Sequence, residues 1–288
     1  MSSSLLQKLQ GLRLVTRRAL PGPRYGDLRS PRPGLSLEFA DFREYHPGDD
    51  ERRIDWHVAA RTDELYVRVY EGEENIRCEI LIDRSASMAS PEPGKFAYAK
   101  ALAAALGFVA LQSGHHVQFA GFSDQLAYPV PALAGRRNVA DLLASVGACT
   151  AEGGTNMEQA LARRVHEQPA PALTFVVSDL YDTEGFHAGL KLLRGSGREV
   201  VVIHVLTRAE LAPPQEGAFE WRDVETGAEL EVTLDPATLA LYDAALRDWL
   251  ASIRSICARL AVRYVLAVSD EPLDHLLLLT LRKEGVLR

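Results

Sequence analysis

A chain of 288 residues that is 47% hydrophobic and 25% charged can bury a full core without staples and reads as an ordinary globular protein. Its net charge of −7 is uneven: residues 1–35 hold Lys8, Arg13, Arg17, Arg18, Arg24, Arg29 and Arg32 against Asp27 alone, leaving about −13 on the rest. An acidic body is a poor nucleic-acid binder, and no apolar run approaches the ~20 residues of a membrane span. Cys78, Cys149 and Cys257 form no Cys-x-x-Cys pair, which argues against structural zinc. Met1–Leu6 lacks the basic start and apolar core of a secretory signal, so a cytoplasmic location with reduced thiols is expected. The basic head reads as a solvated helix and linker rather than a lipid or RNA contact.

Leu5, Leu6, Leu9, Leu12, Leu14 and Val15 suit one face of an amphipathic helix over 5–20, which Pro21-Gly22-Pro23 stops. Residues 21–35, rich in Pro, Gly and Arg, read as an extended linker. From 35 to 74 the chain is dense in charge and aromatics, with a strand-like run at Leu65–Tyr70. Strands and helices then alternate. Strands are predicted over 77–83, 117–122, 126–130, 173–178, 199–206 and 262–268. Helices are predicted over 95–112, 138–146, 157–168, 185–195, 236–260 and 272–284, and a hairpin over 219–234 turns at Glu225-Thr226-Gly227. Such alternation gives an α/β fold, a mostly parallel sheet with helices on both faces. The domain reading is residues 1–74 as helix, linker and charged block, and 75–288 as the α/β domain.

The most informative stretch is Asp83-Arg84-Ser85-Ala86-Ser87-Met88, directly after the run Glu79–Ile82. A strand ending in Asp-x-Ser-x-Ser turns one carboxylate and two hydroxyls toward the carboxyl edge of the sheet, where open α/β sheets bind ligands. These are hard oxygen donors that suit Mg²⁺ or Mn²⁺. Thr155, after Gly153-Gly154, offers a third hydroxyl, and Asp179, after Val176-Val177-Ser178, a second carboxylate. Candidate ligands are therefore Asp83, Ser85, Ser87 and Thr155, with Asp179 direct or through water. Each part also has a plainer reading: Asp and Ser cap helices, Thr155 or Asn156 suits the start of the 157–168 helix, and Asp179 suits a turn, with Asp182 as an alternative acid. Trp56 and Tyr45 read as packing anchors rather than a cofactor box. His115-His116 is not at metal-ligand spacing, and no nucleotide-binding glycine loop is present.

The order of Asp-x-Ser-x-Ser, loop Thr and strand-end Asp resembles the metal-ion-dependent adhesion site of von Willebrand factor A domains. A second block precedes it: Glu38-Phe39, Arg43-Glu44-Tyr45-His46-Pro47-Gly48-Asp49-Asp50, Arg53-Ile54-Asp55-Trp56 and Ala60-Arg61. This block, followed by Asp83–Met88, resembles the domain of unknown function 58 family over nearly the whole chain from about residue 35. His57 in place of Lys and Asp63 in place of Gly are departures, and neither falls on the candidate ligands. The resemblance implies a von Willebrand factor A-like domain and a non-enzymatic, metal-dependent binding module. It further implies an adaptor or co-chaperone that works with a MoxR-type AAA+ ATPase and a client protein. Arg43, Glu44, Tyr45, Asp49, Arg53, Asp55, Trp56 and Arg61 read either as an ion-paired structural clamp or as a second interaction surface. The rival class is a metal-dependent hydrolase or phosphotransferase at the same rim, with Asp83 or Ser85 as nucleophile.

Overall fold

The computed structural model describes residues 3–17, 38–46, 54–62, 64–71, 75–90, 94–127, 131–212, 217–222 and 229–288. In chain order the first elements are α1 (Ser3–Leu9), β1 (Glu38–Glu44), α2 (Trp56–Thr62), β2 (Tyr66–Glu71), β3 (Arg77–Asp83), α3 (Ala86–Ala89) and α4 (Lys95–Gln112). They are followed by β4 (His116–Phe122), β5 (Leu126–Ala127), β6 (Leu133–Ala134), α5 (Val139–Ala148), α6 (Met157–Glu167), β7 (Leu173–Ser178) and α7 (Thr183–Gly195). Then come β8 (Glu199–Leu206), α8 (Arg208–Leu211), β9 (Gly217–Arg222), β10 (Glu229–Leu234), α9 (Pro236–Arg259) and β11 (Arg263–Val268). A helical segment at 273–283 closes the series, its middle, Leu276–Thr280, wound as a π-helix. The chain divides into two compact units, one of Met1–Pro21 with Ile76–Arg288, the other of Gly22–Asn75.

In the larger unit the sheet order is β11-β8-β7-β3-β4-β5, with β6 also paired to β4. Strands β11, β8, β7, β3 and β4 are parallel; β5 and β6 run antiparallel on β4. This is the expected α/β fold built on a mostly parallel sheet. Strand β3 lies at its centre, buried on both faces, which is why Ile80, Leu81 and Ile82 are apolar in succession rather than alternating. Ile80 and Ile82 enter one core with Leu102 and Leu106 of α4 and Leu142 of α5. Leu81 enters the other with Leu161 of α6, Leu190 of α7 and Ile253 of α9.

The expected helix over 5–20 is a single short helix instead, and residues 18–20 lie outside the described residues. Gly11 at φ +94° reverses the chain, and Leu12 and Leu14 then bury at strand spacing. Leu14 forms a β-bridge with Leu287, and Arg13 and Arg288 exchange backbone hydrogen bonds of 3.2 and 3.1 Å. Leu9, Leu12 and Leu14 are core residues of the larger unit, so this segment does not group with the charged block as the sequence reading had it.

In the smaller unit β1 and β2 pair antiparallel, and Ile54 bridges Val67. Asp55 is buried and caps α2, its Oδ1 accepting from the amide of His57 at 3.0 Å. Trp56 is 64% exposed, so it is not the packing anchor expected, because it stands at the start of α2 on the solvent side. Tyr45 is half-buried, its amide donating to Leu65 O at 2.8 Å. Arg43 lies in β1, Glu44 and Arg61 are exposed, and Asp49 and Arg53 fall outside the described residues.

Candidate metal centre

After β3 the chain continues to β4 on one side of it and later places β7 on the other. The loops leaving β3 and β7 therefore diverge, opening a crevice at the carboxyl edge of the sheet. Asp83 is the last residue of β3, and Asp179 directly follows β7. Asp83 is fully buried, its Oδ1 accepting from the Ser85 amide at 2.9 Å and its Oδ2 from Ser178 Oγ at 2.6 Å. Ser178 Oγ in turn accepts from the Leu180 amide at 2.9 Å, fixing the turn in which Leu180 takes φ +59°. Ser85 Oγ and Ser87 Oγ stand 3.0 Å apart. Burial, and then the nearby Asp179 charge, push the Asp83 carboxyl above its ordinary range against the hydrogen bonds from Ser178 and Ser85.

Arg84 points away from this cluster and organises the neighbouring loop. Its Nε donates to Thr150 O at 3.0 Å, its Nη1 to Ser123 Oγ at 3.1 Å, and it pairs with Glu152. The absence of a side chain at Gly121 makes room for it: a Cβ there would meet Arg84 Cδ at 3.0 Å and Cys149 Sγ at 2.9 Å. The Ala86 amide donates to Gly153 O at 2.9 Å, so the Gly153-Gly154 loop lies directly on the Asp-x-Ser-x-Ser turn. Gly153 adopts φ +88°, a conformation that favours glycine. Thr155, half-buried, follows it.

The capping readings fit some residues and fail for others. Asn156 caps α6 through the Gln159 amide at 3.0 Å. Asp182 spends both oxygens on caps, accepting from the amides of Gly185 and Met157 at 3.0 Å each. Ser85 makes no side-chain cap on α3, and the Asp179 carboxylate faces Lys95 instead.

Lys95, at the start of α4, was not singled out by its sequence and is 1% exposed. Its Nζ donates to Asp179 Oδ2 at 2.8 Å and to Glu210 Oε1 at 2.6 Å, and lies 4.8 Å from the centre of the Tyr181 ring. Burial pushes the Glu210 carboxyl up, but Lys95 and hydrogen bonds from Thr207 and Tyr181 outweigh it and hold Glu210 below the usual range. Behind Asp179, His204 Nε2 lies 2.9 Å from the Asp179 carbonyl and Nδ1 2.8 Å from Tyr264 Oη. A carbonyl only accepts, so Nε2 carries the proton and Nδ1 accepts from the tyrosine. Burial holds His204 down at about 4, which keeps this arrangement neutral.

The donor chemistry fits a small hard cation. Oxygens at adjacent vertices of an octahedron with bonds of about 2.0–2.1 Å stand about 2.9 Å apart, close to the 3.0 Å between Ser85 Oγ and Ser87 Oγ. Among the described residues no three His, Cys, Asp or Glu side chains are grouped to hold a metal, so hydroxyls would have to complete any set. Carboxylate and hydroxyl oxygens are donors of the kind that hold hard divalent ions. Ser178 is the positioning residue here. Ser178→Ala leaves Asp83 Oδ2 without its partner and is expected to cost about 1–3 kcal/mol, read from the urea unfolding midpoint.

The family model described as "Protein of unknown function DUF58" matches residues 41–251. The chain belongs to this family. An uncharacterized protein of Mycobacterium tuberculosis (strain ATCC 25618 / H37Rv) is 28% identical over 238 residues, covering 81% of this chain and 75% of its own length. Among solved structures, the conserved hypothetical protein BatB from Bacteroides thetaiotaomicron superposes with a TM-score of 0.48 at 16% identity, over 73% of this chain and 96% of that one. Proximal thread matrix protein 1 from the mussel byssus, solved with a zinc-occupied adhesion-site motif, gives 0.35 at 14% identity, over 46% of this chain and 36% of its own. No described helix of this DUF58 chain is long and apolar enough to cross a membrane.

Proposed function

We propose that this chain is a non-enzymatic, metal-dependent protein-binding module whose attachment point is the carboxyl-edge rim. Asp83, Ser85, Ser87 and Thr155 would hold a Mg²⁺ or Mn²⁺ ion, with Asp179 directly or through water. The observation that carries this reading is the convergence of the Asp83 carboxylate and two hydroxyls 3.0 Å apart at the strand switch, with the Gly153 loop against them. A divalent ion there, bound mainly by neutral hydroxyls, supplies an electrophilic centre for a carboxylate oxygen of a partner. The protein's own residues do the positioning. Ser178 and the Ser85 amide fix the Asp83 carboxylate, and Arg84 ties the Gly153 loop to the turn.

The family resemblance supports a MoxR-type AAA+ ATPase as the partner, with this chain as its adaptor or co-chaperone for a client. A hydrolase would require a cation free to meet phosphate. Among the described residues, Lys95 and Arg84 beside the rim are each buried against carboxylates, which supports the binding reading. The test is calorimetric titration of Mg²⁺ and Mn²⁺ into the wild type and Asp83→Asn, followed by capture of a purified MoxR-type ATPase in Mg²⁺ and in chelator. Binding of ion and ATPase by wild type in Mg²⁺ alone is the expected result. ATPase retained under every condition would move the interaction off the rim, and failure to bind either ion would discard the metal reading. Phosphatase turnover in Mg²⁺ that Asp83→Asn abolishes would replace a module with an enzyme.

A further inference from the structure

We propose that Lys95 is a built-in counter-ion that sets the affinity of the rim for its divalent cation, holding Asp179 while the ion is away and leaning on Glu210 when the ion is bound. The inference rests on the metal reading above and concerns how tightly and how reversibly that site is filled.

The starting point is charge. Asp83 and Asp179 are both buried at the carboxyl ends of adjacent parallel strands, with Ser178, the neighbour of Asp179, bonded to Asp83 Oδ2 at 2.6 Å, a costly arrangement in the absence of a cation. Lys95 is the compensating charge, reaching Asp179 Oδ2 at 2.8 Å with its side chain 1% exposed. A lysine is well suited to this role, because its ammonium is a compact point charge with three rotatable donors on a flexible stem.

The second carboxylate on Lys95 makes the arrangement two-sided. Glu210 Oε1 accepts from Nζ at 2.6 Å and from Tyr181 Oη at 2.7 Å. Its Oε2 accepts from the Thr207 amide at 2.6 Å and Thr207 Oγ1 at 3.0 Å. Glu210 is thereby anchored in the capping box of α8, independently of the metal rim. Lys95 thus retains a fixed anionic partner when Asp179 turns its charge toward an ion. Without Glu210 the ammonium would rest on Asp179 alone and oppose the incoming cation more strongly. The site is in this way stable when empty, which lets the ion exchange rather than remain as a permanent structural metal.

Opposite signs follow for the two partners. Lys95→Met removes the competing charge and is expected to tighten Mn²⁺ binding about tenfold or more, within the usual span of coupling between neighbouring sites. Glu210→Gln, on a side chain 22% exposed, is expected to weaken it several-fold. Glu210 also attracts the ion directly, so the decisive measurement is the double-mutant cycle. The Glu210→Gln effect should shrink in the Lys95→Met background, because most of it acts through the ammonium.

Mn²⁺ affinity is read by calorimetry and by electron paramagnetic resonance of the free ion, with the Mn²⁺-induced rise in melting temperature as a second readout. Lys95→Met that folds only when Mn²⁺ is present is the same expected result in stronger form. Unchanged or weaker binding by Lys95→Met, or a Glu210→Gln effect of equal size in both backgrounds, overturns the proposal. If Lys95→Met fails to fold even with Mn²⁺, Glu210→Gln alone decides, and unchanged affinity in it overturns the proposal. A wild type that binds no Mn²⁺ overturns the metal reading itself. Wild-type binding with variants that break the pattern overturns only the role of Lys95.

Discussion

Glu79→Ala should destabilise the larger unit by about 3–5 kcal/mol, the cost of stripping a buried ion network of its central charge. Glu79 is 1% exposed in the middle of the sheet and faces two guanidiniums, each no more than 3% exposed. Its Oε1 accepts from Arg164 Nε, and its Oε2 accepts from Arg198 Nε at 3.1 Å and Thr174 Oγ1 at 2.8 Å. Removing it leaves two buried cations without a carboxylate. Replacing Glu79, Arg164 and Arg198 together by apolar residues of similar volume should instead be neutral or stabilising. Urea unfolding of both proteins tests this, with a shift in midpoint at constant slope as the signature. Equal losses for the single and triple variants would show that the network contributes attraction rather than mutual relief of burial. Glu79 lies four residues before Asp83 on one strand, roughly 13 Å away at the rise of a β-strand. Metal binding by any Glu79 variant that stays folded should therefore be unchanged.

Acid should unfold this protein partly through His115. That side chain is 8% exposed, and burial, with His116 and Arg13 nearby, holds it down at about 4. Among the described residues its Nδ1 has no hydrogen-bond partner. The unfolded histidine takes its proton near 6.5, so between those values the unfolded chain binds more protons than the folded one. Stability is therefore greatest above about pH 6.5 and is lost as pH falls toward 4, by about 3 kcal/mol for this one group. His204, held at about 4 by burial, acts in the same direction. Asp83 opposes both, since a carboxyl whose folded value is raised stabilises the folded state as it takes up its proton. The measurement is accordingly a difference. Unfolding free energies of wild type and His115→Leu, taken from pH 7 to 4, should diverge by about 3 kcal/mol in favour of the variant. Parallel curves would place the acid sensitivity elsewhere.

Much of this architecture is written plainly in the chain. Strands Arg77–Asp83, Leu173–Ser178 and Glu199–Leu206 and the helix Lys95–Gln112 stand where periodicity puts them. Their apolar runs are long and are bounded by glycine, proline or polar residues. The segment after Gly11 was misread because Leu12, Leu14 and Val15 suit a helix face and a strand about equally. At the rim, Asp83, Ser85 and Ser87 are adjacent in sequence and thus legible as a group. Asp179 and Asp182 both follow β7, and only the fold distinguishes the acid that meets Lys95 from the one that caps α7. Lys95 is 84 positions from Asp179 and 115 from Glu210, beyond any local pattern. One signal was present: a lysine in the first turn of a helix opposes the helix dipole and calls for a carboxylate nearby. Glu79 carried a similar signal, as a charge inside a strand otherwise buried on both faces.

The clasp between residues 13–15 and 286–288 has a bearing on how the protein is made. Lys8 and Asp274, 266 positions apart, are joined at 2.7 Å across the same region. Segments far apart in the chain thus complete one core, and Leu9, Leu12 and Leu14 share it with Val286 and Leu287, which are made much later. On the ribosome that apolar stretch cannot be fully covered until residues 286–288 have emerged. Closure of this seam is a late event of high contact order, slow by topology and open to capture by chaperones until it is done.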